Sequence, residues 1–130
     1  MTLQQQQYLS DWHDYFVSYI KGLRSLVETL LIHPRATEDD KRELARIKLK
    51  LHGSDVTEIE QSLAEGQIKQ DTLDKIERLD KDLVDTATER MSVAPSMKEI
   101  LRYITYNKIE RSKHLTATEL AELQIPFVQD

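Results

Sequence analysis

The sequence predicts an all-α protein: a helical bundle of three longer helices plus a short αα-hairpin and a short C-terminal helix, in a single domain over residues 1–130. Three observations carry that prediction. Apolar residues recur in steps of three and four through most of the chain, the spacing that lines one face of a helix. Gly and Pro number only three each, so few points force the backbone out of helical geometry. No stretch alternates apolar and polar residues between hairpin turns, as a half-buried strand would, and no repeat period is visible.

The first helix, Tyr8 to Leu31, organises the rest. Leu9, Trp12, Phe16, Tyr19, Leu23, Leu26 and Leu30 form a seam at heptad spacing. Ile20 and Val27 widen it on one side, Tyr8 and Tyr15 on the other. The stretch holds five of the chain's eight aromatic residues, its heaviest apolar payload. A strip this broad fits a helix buried against several others. Its flanks, Tyr8, Tyr15, Ile20 and Val27, also raise the expectation of self-association into a homo-oligomer, because one small chain would leave part of the strip for a second copy. The glutamine run at 4–7 frays or extends this helix. Pro34 disfavours helical geometry at His33, so the helix ends near Ile32. Gly22 lies on the seam's flank, where glycine costs about 1 kcal/mol relative to alanine. Either a neighbour approaches closely there or the helix bends.

Thr37 caps the second helix, with Glu38, Asp39 and Asp40 in its positive first turn. Leu44, Ile47 and Leu51 form its buried stripe, and Gly53 supplies the stop. Asp55 or Ser54 caps a short third helix carrying Val56, Ile59 and Leu63, ended by Gly66. The second and third helices are expected to fold back as an αα-hairpin around His52-Gly53-Ser54. The fourth helix runs from about Thr72 to Ser92, with Leu73, Ile76, Leu79, Leu83, Ala87 and Met91 inward. After Pro95, Ser96 and Glu99 have the spacing of a capping box opening the fifth helix. That helix buries Met97, Ile100, Leu101 and Ile104 and reaches about His114. Thr116 and Glu119 form a second box, opening a short last helix from Ala117 to Leu123 that Pro126 stops.

Composition narrows the function classes. Hydrophobic residues make up 39% and charged residues 32%, too apolar for a disordered chain. The absence of cysteine removes disulfides, thiolate metal sites and cysteine nucleophiles. The first residues lack the basic and apolar regions of a secretory signal, and no apolar row is long enough to span a membrane. The expected location is therefore cytoplasmic, with no membrane partner.

No catalytic constellation is visible. The four histidines, at 13, 33, 52 and 114, sit in different elements, and none belongs to a two-histidine helical pair. Glu110 and His114 share a helix face four residues apart, but two ligands do not make a metal site. No glycine-rich phosphate loop or Gly-x-Ser-x-Gly turn occurs. The carboxylates lie on charged outer faces, where acids are solvated and not tuned for proton transfer. The expectation is a non-enzymatic protein with no metal and no cofactor.

Charge is uneven along the chain, around a net of −5. Acids dominate from Asp55 to Arg90. From Lys98 to Lys113 the balance reverses: Lys98, Arg102, Lys108, Arg111 and Lys113 face only Glu99 and Glu110. At 100° per residue, Lys98, Arg102, Tyr106, Ile109 and Lys113 align on the fifth helix opposite its buried stripe. Bases interleaved with an aromatic and an aliphatic suit contact with an acidic protein or with phosphate. The competing structural expectation is that the last helix or a subunit partner covers Tyr106 and Ile109. The run Leu115-Thr116-Ala117-Thr118-Glu119-Leu120-Ala121-Glu122-Leu123-Gln124-Ile125-Pro126 resembles the first helix and turn of a helix-turn-helix, with Met97 to Asn107 as the preceding helix. It departs from that pattern in the recognition helix, since only Phe127-Val128-Gln129-Asp130 follow. The sequence thus points first to an adaptor or regulatory protein acting through protein–protein contacts. The alternative is a nucleic-acid-binding regulator using the basic fifth helix, residues 97–114, and an incomplete helix-turn-helix-like C-terminus.

Overall fold

The computed structural model describes residues 2–66 and 70–114. Among these residues the chain forms five helices and no strand: α1 (Leu3–Leu31), α2 (Glu38–Leu51), α3 (Ser54–Ala64), α4 (Gln70–Arg90) and α5 (Met97–His114). The all-α prediction is met, and the apolar stripes lie where the spacing put them. The segment after His114, with the expected last helix and the helix-turn-helix resemblance, lies outside the described residues.

Local chemistry explains most helix ends. Thr2 and Gln5 form a reciprocal capping box, so the glutamine run extends α1 by more than a turn. Thr37 and Asp40 form the same device at α2. Gly66 adopts φ +70° after α3, a left-handed turn that only glycine takes without strain. Gly53 behaves differently from expectation. Its backbone is extended, at φ −75° and ψ 167°, and it is itself the N-cap of α3, whose first turn contains Ser54 and Asp55. The Ser96–Glu99 box is also replaced. The Ser96 N–H and hydroxyl donate to Asp40 Oδ1 at 3.1 and 2.7 Å, while Glu99 pairs with Arg102.

Cross-helix partners fix the topology. Along α4, Arg90 meets Glu43, Asp82 meets Lys50, Lys75 meets Glu58 and Thr72 meets Ser62. Partner numbers fall on one side as they rise on the other, so α4 runs antiparallel to α2 and α3 together. The series crosses the Gly53 break without interruption. The two short helices are therefore stacked end to end as one bent rod, and the expected side-by-side hairpin is corrected. A three-residue link looks the same in sequence whether the chain reverses or merely bends. Arg24 and Glu28 meet Leu51 and Lys48, while Tyr15 and Tyr19 meet Asn107 and Tyr103. These pairs make α1 antiparallel to α2 and to α5. The result is an up-down-up-down four-helix bundle whose second member is α2 plus α3.

One apolar core takes side chains from all five helices. Phe16, Ile20, Leu23, Leu44, Ile47, Leu51, Ile59, Leu83, Met97, Ile100 and Ile104 are fully buried in it. Tyr8, Ile20 and Val27 also belong to this core, and Tyr15 is partly buried against α5. The breadth of the α1 strip is accounted for by rods of the same chain, α2 plus α3 on one side and α5 on the other, with α4 reaching it at Tyr19. The basis for self-association through Tyr8, Tyr15, Ile20 and Val27 is thereby removed. No helix among the described residues is long and apolar enough to cross a membrane.

Candidate functional site

The fifth helix divides sharply into two sides. Its N-terminus is anchored by Asp40, which accepts from Ser96 just before the first turn. Met97, Ile100 and Ile104 follow at steps of three and four, and each is fully buried. On the opposite side Lys98, Arg102, Tyr106, Ile109 and Lys113 are all exposed, with Tyr106 at 64% and Ile109 at 50%. The five residues selected by helical spacing thus share one solvent-facing strip. Arg102 pairs with Glu99 at 2.9 Å and Lys113 with Glu110 at 3.4 Å, each within α5. Among the described residues, the ammonium groups of Lys98 and Lys108 have no ion partner.

Such pairs on a solvated helix are weak, contributing a few tenths of a kcal/mol. Their effect here is to oppose two of the strip's three positive charges. Two large apolar side chains stand between the bases. An exposed tyrosine or isoleucine alone is ordinary. A tyrosine and an isoleucine one turn apart within a basic strip form a patch with an apolar centre and charged rim, the anatomy of a protein contact surface.

Beneath this strip lies a polar cluster that joins α1, α4 and α5. Tyr15, Tyr19 and Tyr103 stack in sequence, with centroids 5.8 and 6.0 Å apart and interplanar angles of 17° and 7°. Tyr19 donates its hydroxyl to Asp80 Oδ1 at 2.7 Å, and Tyr103 donates to the Tyr19 carbonyl at 3.0 Å. Arg111 Nη2 lies 2.7 Å from Asp80 Oδ2, and its guanidinium stands over the Tyr15 ring at 5.9 Å. Asp80 is 1% exposed and Arg111 13%. Burial pushes the Tyr15 hydroxyl up to about 12, partly offset by the Arg111 charge. Burial, reinforced by the Asp80 carboxylate, drives Tyr19 well above the ordinary tyrosine range. For Arg111, burial opposes the charge, but the Asp80 carboxylate, with smaller contributions from the Tyr15 and Tyr19 hydroxyls, more than compensates and its pKa is raised.

This cluster escaped the sequence reading, which placed Asp80 among solvated surface acids. A signal was present. Ile76, Asp80, Leu83 and Ala87 are spaced by four, three and four, as are Ile100, Ile104, Asn107 and Arg111. A charged residue inside an apolar stripe, matched by one on a neighbouring helix, marks a buried pair. The cluster offers no free nucleophile: its tyrosines are held protonated, and Asp80 and Arg111 are paired with each other, although the buried Arg111 Nη1 has no hydrogen-bond partner among the described residues. Its chemistry is that of a tie between helices.

Among the described residues, no three His, Asp or Glu side chains gather where they could hold a metal ion. Glu110 is engaged by Lys113, and the His114 side chain lies outside the described residues. No family model, curated protein or solved structure matches the chain.

Proposed function

We propose that the chain is a non-enzymatic cytoplasmic adaptor or regulatory protein that docks a partner protein through Lys98, Arg102, Tyr106, Ile109 and Lys113. The observation that carries this reading is the division of α5. Met97, Ile100 and Ile104 are fully buried while Tyr106 and Ile109, on the same helix, stand open between bases. The partner surface that fits is an acidic patch with an apolar centre. Carboxylates would meet Lys98, Arg102 and Lys113, and a shallow apolar pocket would receive Tyr106.

Charge favours protein over nucleic acid as the partner. The whole chain carries −5, and two of the strip's bases are already opposed by Glu99 and Glu110. Phosphate binding gains from several unopposed cations releasing counterions together. This strip offers too few for that gain to dominate.

Native mass spectrometry of the chain purified from its own host tests the proposal, comparing the native sequence with Tyr106→Ala/Ile109→Ala. The expected result is a protein of fixed stoichiometry on the native chain, absent from a variant that remains folded. The same partner retained by the variant would contradict the proposal. So would a bound mass that nuclease removes.

A further inference from the structure

We infer that residues 105–114 of α5 form a latched arm, held to the bundle by Tyr15, Asp80 and Arg111 and released as a unit when that latch opens. The first observation is where apolar anchoring stops. Met97, Ile100 and Ile104 are fully buried, whereas no apolar side chain is buried over residues 105–113. The second is what replaces it. The Tyr15 hydroxyl donates to the Asn107 carbonyl at 3.2 Å, and Arg111 reaches Asp80 at 2.7 Å while covering the Tyr15 ring. Among the described residues, every cross-helix hydrogen bond and ion pair of the arm runs through Tyr15 or Asp80.

The two halves of the helix therefore hold on by different physics. Apolar burial is non-directional and yields gradually as surfaces separate. Polar contacts inside a low-dielectric region support one another and are lost together once water enters. Most helical stability in a protein comes from tertiary packing, so detaching residues 105–114 from the bundle is coupled to unwinding. Opening also uncovers Tyr15 and the Tyr19–Asp80 pair behind it.

The functional consequence rests on the docking proposal, although the latch itself does not. Lys98 and Arg102 belong to the anchored half, and Tyr106, Ile109 and Lys113 to the latched half. A partner that needs all five binds only the closed arm, and by linkage such a partner would hold the latch shut. Release would leave two bases in place and scatter the apolar centre of the strip.

Amide hydrogen exchange of the full chain, read residue by residue by NMR, tests the latch without any partner. In the native chain, protection should fall in a step between Ile104 and the arm. Tyr15→Phe removes one latch bond while keeping the ring, and Asp80→Asn removes the charge that holds Arg111. Each should speed exchange across 105–114 by roughly tenfold while 97–104 keeps its protection. If Asp80→Asn fails to fold, Tyr15→Phe decides alone. Protection fading evenly from His114 back towards Met97 would show ordinary end fraying and overturn the inference. A Tyr15→Phe chain with unchanged exchange, or one that accelerates both halves equally, would overturn it too. A confirmed latch alongside an absent partner would retire the docking proposal alone.

Discussion

Gly22 of α1 lies directly beneath the Tyr103 hydroxyl of α5, and a Cβ built at Gly22 would overlap that oxygen. The missing side chain lets the Tyr103 ring cross close to α1 and donate to the Tyr19 carbonyl at 3.0 Å. A helical glycine that looks unfavourable in sequence is the opening through which two helices are joined.

Gly22→Ala sets two effects against each other. Alanine gains about 1 kcal/mol in helix propensity, while overpacking typically costs about 1–3 kcal/mol. The overlap involves a ring wedged between helices and a hydrogen bond that would break, so net destabilisation is expected in denaturant unfolding. In a Tyr103→Phe background the oxygen is gone, although the ring carbon remains 3.1 Å from the Cβ position. The penalty should shrink without vanishing, giving a double-mutant coupling. A native-background Gly22→Ala chain that is more stable would contradict the packing described.

Phe16 is fully buried, and Phe16→Ala should cost about 3–5 kcal/mol if the site does not collapse. Trp12, the chain's single tryptophan, is 6% exposed and should emit at short wavelength until the bundle unfolds. Water-like emission from the native protein, with a near-neutral Phe16→Ala, would remove α1 from the core.

Much of this architecture was legible because apolar stripes and caps are local signals. Leu44, Ile47 and Leu51, or Val56, Ile59 and Leu63, announce their burial by spacing alone. What stayed hidden depends on partners distant in sequence. Asp40 and Glu43 read as first-turn and surface acids, yet both are buried because Ser96 and Arg90 arrive from the far end of α4 and beyond it. The bend at Gly53 was misjudged for the same reason: α4, lying along both short helices, decides that they align. The exposed strip on α5 was legible as a helical face. Its exposure to the side away from the other described helices was not, since that required knowing where those helices run.

Asp40 supplies a pH-dependent prediction. Burial pushes its carboxyl up, but hydrogen bonds from Thr37 and Ser96 outweigh this and hold its pKa below the usual carboxylate range. A depressed folded pKa stabilises the fold fully above the unfolded value, about 3.9, and that contribution is lost as pH falls through the folded value. Asp40→Asn should therefore lower unfolding free energy at pH 7 by about 1–3 kcal/mol. The gap to the native chain should narrow as pH falls below about 4. A gap that is constant across that range would mean the charge at Asp40 contributes nothing.

Tyr106→Ala/Ile109→Ala separates folding from binding on α5. Both side chains are exposed, so stability should stay within about 0.5 kcal/mol per substitution. A matched Ile104→Ala, on the buried face, should lose about 2–5 kcal/mol. A large loss for the outer pair would assign the strip to the fold.

The most direct measurement of the docking claim is site-specific photo-cross-linking in the native host, with the reactive side chain at position 106. Position 49 serves as the control, because Leu49 is 75% exposed on α2 yet lies outside the strip. The account predicts a discrete, nuclease-resistant protein adduct from position 106 that weakens with Arg102→Glu and does not form from position 49. The same adducts from both positions, or an adduct at 106 that nuclease abolishes, would contradict it.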